Sequence, residues 1–527
     1  MSEENNANIA ARVGQWSIKT PMRAAIVDGR ERLSFLGFDE GCGRLSVGLS
    51  KAGLKKGMRA AVLVPPGIDF YALAFALMRL GVSPVLIDPG IGWDRLGRAL
   101  KEAQPQAFIG SPKAHLARLA GRWAPSARIK IVAGGFFPGA ISAAELGRAP
   151  AGAIRAPVPT KPEDAAAILF TSGSTGAPKG ALYTHGMLHA QLDLLSSAFG
   201  VQAGQVSVPT FPLFGLFDVA LGQTVVIPDM DASKPAEADP RKILAAIVDS
   251  QADQLFGSPA LLDVLARHGE KIPRLSRVLS AGAPVPSKLL ARLVQLLPEG
   301  CRVFTPYGAT EALPVALIEA QEVLSETAEM SARGLGTCVG RPLPGVDVAV
   351  IAIGDDPISA WDDSLRVSAD EVGEIAARGP NVSPMYFNRP EDTARAKIGS
   401  WHRMGDLGRF DARGRLWFYG RKSQRVATPS RTFFTVACEG VFNAHPKVKR
   451  TALVGARGVP VLCVELDDPA SDKESVRREL LALGARHEQT RAIRTILFHP
   501  KFPVDIRHNA KIFRERLADW AGERVRA

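Results

Sequence analysis

Through the first four-fifths of the chain, short apolar runs alternate with longer stretches in which apolar positions recur at helical spacing. A strand is predicted over 59–64, stopping at Pro65, Pro66 and Gly67; an apolar helix follows over 68–80, ending near Gly81, and then a second strand over 82–87. The same unit returns at 165–170, at 254–256 ahead of a helix over 259–268, and at 277–280. Strands alternating with helices in this way build parallel sheets covered by helices, and such sheets bind ligands at the loops that follow their strands. Beyond about residue 340 the pattern changes to short strands with turn residues, over 346–353, 373–376 and 416–419, which predicts a small β-rich unit. From Gly420 onward, strand-like 450–454 and 459–465 flank helical patterns, as in a compact α+β domain. The fold class is therefore α/β, and 527 residues are too many for one hydrophobic core.

Composition changes this picture little. Apolar residues make up 46% and charged residues 22%, values of an ordinary globular chain. The net charge of +12 is concentrated, with 21 Lys/Arg against 12 Asp/Glu from Arg421 to the end. Such an excess attracts polyphosphate, an acidic partner or an anionic membrane face, or is simply solvated; no aromatic-interleaved basic stretch points to nucleic acid. The five cysteines are scattered without a C-x-x-C pair, which suggests neither disulfides nor zinc but reduced thiols in a cytoplasmic protein. The first residues are acidic and polar rather than signal-like, and no uncharged apolar run reaches transmembrane length.

The chemistry starts in the loop after the strand over 165–170. Thr171, Ser172, Gly173, Ser174, Thr175 and Gly176 lead to Ala177, Pro178, Lys179 and Gly180, ahead of a helical stretch. Glycines turn backbone N–H groups toward one point, hydroxyls add donors and Lys179 adds a movable charge, so the loop suits a polyphosphate. It is not the G-x-x-x-x-G-K-[ST] loop, because Gly180 follows the lysine where a hydroxyl would hold magnesium.

The whole ten-residue string resembles the phosphate loop of the acyl-adenylate-forming superfamily, and further signatures extend that resemblance over nearly the entire chain. Thr305 to Glu311 is similar to the second signature, which implies that Tyr307 and Gly308 lie near adenine, that Thr310 contacts phosphate and that Glu311 holds magnesium. A carboxylate beside phosphate is unfavourable unless a cation bridges them, so Mg2+ joins ATP as an expected cofactor. Gly282, Ala283 and Pro284 resemble the segment against the adenine ring, and Asp406 and Arg421 the pair that holds the ribose. Lys511 matches the C-terminal lysine that stabilises charge growing between carboxylate and α-phosphate. The resemblance implies an N-terminal domain over 1–419, a hinge over 420–424 and a mobile C-terminal domain over 425–527.

The second step is where the chain departs from coenzyme A ligases. Ser423 stands where they carry an aspartate, and 425–434, with Pro429, Arg431, Phe433 and Phe434, replaces a glycine-containing loop beside the pantetheine tunnel. These bulky residues are expected to narrow such a path. The segments 208–218, 226–231, 255–259 and 503–511 resemble the olefin β-lactone synthetases, which implies adenylation of a 2-alkyl-3-hydroxy acid and attack by its own β-hydroxyl. Phe211, Phe214, Phe217 and Phe256 are candidates for an acyl pocket, and His185 and Asp218 for orienting the hydroxyl, although each also reads as ordinary core or a structural hydrogen-bonding residue. A long-chain acyl ligase for coenzyme A or a carrier protein, and a non-catalytic scaffold, are the alternatives. The resemblance also implies an olefin-pathway hydrolase and reductase as partners.

Overall fold

The computed structural model describes residues 6–148, 150, 156–170, 177–504 and 512–525, with the backbone alone at Pro89. The strands anticipated from the pattern are present, with helices directly behind Arg59–Leu63 and Gln254–Phe256. Arg59–Leu63, the helix Ile68–Arg79 and Ser83–Ile87 follow one another, and Gly81 takes a positive φ just past the helix. Ser83–Ile87 is buried at all five positions, as a parallel strand covered on both faces must be.

Two large sheets position the site. One has seven strands in the order Ile141–Ser142, Ile129–Val132, Ala107–Gly110, Arg59–Leu63, Ser83–Ile87, Ala165–Phe170 and Gly180–Thr184. The other has fourteen. Its parallel run passes from Arg302–Ala309 through Arg277–Leu279, Gln254–Phe256, Val206–Pro209 and Thr224–Ile227 to Ala24–Asp28. It continues as antiparallel strands through Ala312–Glu319, Thr337–Pro342, Leu416–Arg421, Trp401–Phe410 and Gly373–Arg378 to Asp347–Ile351, the β-rich unit that the pattern placed after residue 340. The core around the seven-stranded sheet is led by Phe35, Phe38, Tyr71 and Phe75, from the helices Phe35–Lys51 and Ile68–Arg79. Smaller sheets complete the chain: a hairpin of Val426–Ala427 with Thr432–Phe433, and a three-stranded sheet of Val448–Ala456, Val459–Leu466 and Thr495–Phe498.

Two local expectations change. The chain does not run from the phosphate loop into a helix: Gly180–Thr184 first returns antiparallel to Ala165–Phe170, with Gly180 opposite Phe170, and the helix His185–Phe199 begins only at the Thr184 cap. A glycine-rich connection between two apolar runs is as much a hairpin signal as a strand-to-helix signal, and tertiary pairing decides. Asp406 lies inside the strand Trp401–Phe410. The stretch 425–434 folds as the small hairpin, with Phe433 buried in the C-terminal core and Phe434 packed on Tyr419 at 5.9 Å, so these rings serve packing rather than both facing a path.

The ends of the antiparallel strands are held by buried charge. Glu374 accepts from Arg403 at 3.1 Å and from Lys422 at 3.1 Å, and the Glu374 and Arg403 side chains are 1% and 2% exposed. An ion cluster this dry contributes little net stability but is costly to break, because the remaining charge is left unpaired. It fixes Arg403 and Lys422, three residues and one residue away from Asp406 and Arg421.

Gly420 joins this region to the C-terminal sheets. Its φ is +120°, and a Cβ there would come within 2.5 Å of Thr435 Oγ1 on the helix Thr435–Asn443. Gly420→Ala is expected to lower stability by about 2 kcal/mol, from backbone strain and this clash together, as measured by denaturant unfolding.

Candidate active site

The residues that the sequence placed at a nucleotide converge from several strands. Asp406 and Arg421 are direct partners across adjacent antiparallel strands, and their side chains form an ion pair of 3.1 Å. Tyr307, near the end of Arg302–Ala309, donates its hydroxyl to Asp406 Oδ2 at 2.8 Å. Arg421 also donates to the Met404 carbonyl at 3.2 Å. Asp406 is only 4% exposed. Burial pushes its carboxyl above the ordinary value, while the Arg421 guanidinium and the Tyr307 hydroxyl pull it down. Burial and the same carboxylate raise the Tyr307 phenol. A buried carboxylate oriented by one hydroxyl donor and one ion-pair partner, with Oδ1 free of any hydrogen bond among the described residues, is suited to a diol such as the ribose hydroxyls.

Thr310 and Glu311 sit at the tip of a two-residue hairpin, since Ala309 pairs with Ala312. Side chains from the other sheet and from the segment after Asn381 hold this tip. Tyr183 donates its hydroxyl to the Thr310 carbonyl at 2.6 Å, and Tyr386 donates its hydroxyl to Glu311 Oε1 at 2.6 Å. The Ser383 N–H donates to the Glu311 carbonyl at 2.8 Å, and Lys397 donates to the Ser383 carbonyl. Lys397 is a half-buried cation whose ammonium is lowered to about 8 by desolvation, with Glu311 opposing that shift. Lys179 pairs with Asp392 at 2.7 Å and lies 5.2 Å from the Tyr386 ring centroid. The cation from the phosphate loop and the Glu311 carboxylate are therefore joined through one tyrosine. Tyr183, Tyr386, Asp392 and Lys397 belong to none of the sequence signatures; they are partners only through long-range contacts.

Gly282, Ala283 and Pro284, which the sequence assigns to adenine, follow the strand Arg277–Leu279, whose register sets Leu279 beside Phe304. Gly282 has a φ of +99°. Gly308 has no room for a side chain, because a Cβ would lie 2.5 Å from the Ala312 carbonyl oxygen. Thr171, Ser172, Gly173, Ser174, Thr175, Gly176 and Lys511 lie outside the described residues.

Glu311 offers one hard carboxylate, and no cluster of three metal-ligating side chains occurs among the described residues. That set fits a magnesium ion bound chiefly through phosphate oxygens and water, since Mg2+ is commonly held by one or two carboxylates with substrate phosphates.

The acyl-pocket candidates divide. Phe211, Phe214 and Phe217 lie on or beside the helix Pro212–Ala220, with Phe214 stacked on Phe256 at 3.8 Å. His185 is tied elsewhere: its Nδ1 accepts the Ile9 N–H at 3.2 Å, and burial lowers it to about 4, leaving a neutral ring. Asp218 points into a buried polar network, where Oδ2 accepts from Ser207 at 2.8 Å and Oδ1 from Gln254 at 3.5 Å; Gln254 in turn accepts from Arg277 at 2.9 Å. This network ties the helix to three strands of the large sheet.

Two outcomes are expected from these contacts. Asp406→Asn removes the charge facing Arg421 and should raise the KM for ATP about 10- to 100-fold, the worth of a charge-assisted hydrogen bond, in a pyrophosphate-release assay. Burial raises the Asp218 carboxyl from 3.8 to about 7. A carboxyl raised on folding stabilises the fold fully below its unfolded value, and that contribution is lost as pH rises through the folded value. The Tm of the wild type should therefore fall relative to Asp218→Asn between about pH 4 and pH 7; a constant Tm difference across that range would refute the assignment.

Comparison with known proteins identifies the family. Residues 14–387 match the family described as AMP-binding enzyme. The chain is 48% identical to an olefin beta-lactone synthetase of Stenotrophomonas maltophilia (strain K279a), covering 98% of each chain. It is 49% identical to the olefin beta-lactone synthetase of Xanthomonas campestris pv. campestris, over 93% of this chain and 91% of that one. Among solved structures, O-succinylbenzoate coenzyme A synthetase from Bacillus subtilis, in complex with ATP and magnesium ion, has the same fold: the TM-score is 0.78 at 21% identity, covering 96% of this chain and 98% of that one. Match length, identity and fold together place the chain in the AMP-binding enzyme family and, within it, among the olefin beta-lactone synthetases.

Proposed function

We propose that this enzyme adenylates a long-chain 2-alkyl-3-hydroxy acid with ATP and then closes it to a β-lactone, releasing diphosphate and AMP. The observation that carries the reading is the near-half identity to olefin beta-lactone synthetases over almost the whole chain. The site geometry supports its first half: Asp406, Arg421 and Tyr307 form a ribose cradle beside the Thr310–Glu311 tip and Lys179.

The substrate carboxylate attacks the α-phosphorus, the bond to the bridging oxygen breaks, and diphosphate leaves toward the loop over 171–180. Lys179 exchanges its Asp392 contact for phosphate, and Thr310 donates its hydroxyl. Magnesium, held by Glu311 and phosphate oxygens, would supply positive charge against the leaving diphosphate. Tyr386 and Lys397 keep the Glu311 carboxylate in place. Lys511, carried by the domain over 425–527 about a hinge at 420–424, meets the charge that grows on the carboxylate and α-phosphate oxygens. The β-hydroxyl oxygen then attacks the acyl carbon, loses its proton and expels AMP. Being intramolecular, that attack needs no second substrate and gains the advantage of proximity.

The five cysteines, all free thiols, and the lack of any described helix long and apolar enough to cross a membrane fit a cytoplasmic enzyme. On this reading the lactone passes to a hydrolase of the olefin pathway, with the pathway reductase supplying the hydroxy acid.

With ATP, Mg2+ and a 2-alkyl-3-hydroxy acid, the enzyme should form lactone and AMP in equal amounts without coenzyme A. Product formation that requires coenzyme A would instead identify an acyl ligase, and no turnover a scaffold. Lys511→Ala should slow pyrophosphate release by about 100-fold or more, the scale of losing one transition-state charge contact, while ATP binding measured by calorimetry persists.

A further inference from the structure

Apolar side chains left in water gather at one end of the seven-stranded sheet. Leu116 and Leu119, 60% and 55% exposed, share the outer side of the helix Pro112–Ala120, which buries His115 and Arg118 on its inner side. Phe136, 80% exposed, stands on the loop between Ile129–Val132 and Ile141–Ser142, the strand at the sheet's edge. Helix and loop form one body: the His115 ring donates to the Ile131 carbonyl at 2.9 Å and stacks on Phe137 at 4.8 Å, and a Cβ on Gly135 would lie 3.1 Å from Pro112. Phe136 is therefore presented to solvent by a loop that is anchored on the helix.

Charge separates this surface from the other exposed apolar group. From 111 to 148 the chain carries six Lys/Arg and one Asp/Glu. Lys113, Arg122, Arg128 and Arg148 are exposed, and none of them pairs with a carboxylate among the described residues. Ile18, Met22 and Leu36 form the other group, where the Leu36 N–H meets the Pro21 carbonyl at 3.1 Å, but from 11 to 40 five Lys/Arg stand against four Asp/Glu. Leucines and a projecting phenylalanine interleaved with cations match the boundary of an anionic bilayer, where apolar tips enter the acyl region and cations meet lipid phosphate. The same charge disfavours a second copy, since a two-fold contact would set cation against cation.

Topology gives the surface a use. Ala107–Gly110, Ile129–Val132 and Ala165–Phe170 are parallel strands of one sheet. The helix Pro112–Ala120 and the loop bearing Phe136 therefore begin at the same end of the sheet at which Ala165–Phe170 stops, just before Thr171. Ile129–Val132 lies four places from Ala165–Phe170 in the sheet order, about 20 Å at ordinary strand spacing.

We propose that this end of the seven-stranded sheet docks on an anionic membrane surface, with Phe136, Leu116 and Leu119 entering the interface and Lys113 and Arg122 resting on lipid phosphates. The inference stands independently of the β-lactone reading; a long-chain acid would in addition partition into the same bilayer.

The test sediments the full-length enzyme with vesicles of phosphatidylcholine alone and with vesicles containing about one-third phosphatidylglycerol. The enzyme should bind the anionic vesicles, at least about fivefold more than the neutral ones, and less as salt is added. Phe136→Ser with Leu116→Gln should lower the bound fraction at least about fivefold, as should Lys113→Glu with Arg122→Glu, whereas Ile18→Ser with Met22→Ser should leave it unchanged. All six side chains are exposed, and thermal melts establish that each variant folds. No binding to either vesicle, equal binding to both, or binding that survives in both of the first two variants overturns the proposal. So does a dimer in solution that ignores vesicles and is dissolved by Phe136→Ser with Leu116→Gln, which would identify a contact between copies instead.

Discussion

Asp406 is the constraint around which the nucleotide site is organised. A carboxylate this deeply buried is unfavourable unless compensated, and its compensation comes from two separate strands: a guanidinium on the neighbouring Leu416–Arg421 and a phenol on Arg302–Ala309. Meeting that requirement fixes where the antiparallel end of the large sheet meets its parallel run. A second dry cluster joins Glu374 on Gly373–Arg378 to Arg403 on the strand that carries Asp406 and to Lys422 just beyond Leu416–Arg421. The site strands are therefore held by charge satisfaction as well as by apolar packing.

The Thr310–Glu311 tip obeys a similar logic with different partners. A two-residue hairpin presents its side chains on a short, stiff support, and Tyr183 and Tyr386 reach it from elements remote in sequence. Tyr386 bonds Glu311 while lying beneath Lys179, so the anionic and cationic sides of the phosphate region share one aromatic spacer. Tyr183 couples the same tip to the apolar interior, since its ring lines a small apolar cavity there.

The hairpin at 425–434 bears on the second half-reaction in a way its composition alone did not convey. Bulky residues in place of a glycine loop read as an obstruction, yet Phe433 is spent on the C-terminal core and Phe434 on Tyr419. The case for intramolecular closure consequently rests on overall kinship with the olefin beta-lactone synthetases rather than on a blocked tunnel.

Much of the architecture was legible in the chain, because buried parallel strands are short apolar runs and helices keep their period wherever they pack. The motif residues Asp406, Arg421 and Tyr307 were legible for a related reason: close backbone approach and buried charge admit few residue types. The strand Gly180–Thr184 and the strand setting of Asp406 were not, since a glycine-rich link carries no local mark of what it pairs with. Nor were the partners Tyr183, Tyr386, Asp392 and Lys397, whose roles arise from contacts with residues distant in the chain, 14 positions away for Lys397 with Ser383 and 127 for Tyr183 with Thr310. His185 and Asp218 show the difference most directly. Each side chain had the chemistry to orient a hydroxyl, but Ile9 engages one and Ser207 with Gln254 the other. The sequence by itself determined which chemistry the chain can carry; only the tertiary structure decided which polar groups remain for a ligand, because a buried donor or acceptor must take whichever partner folding brings to it.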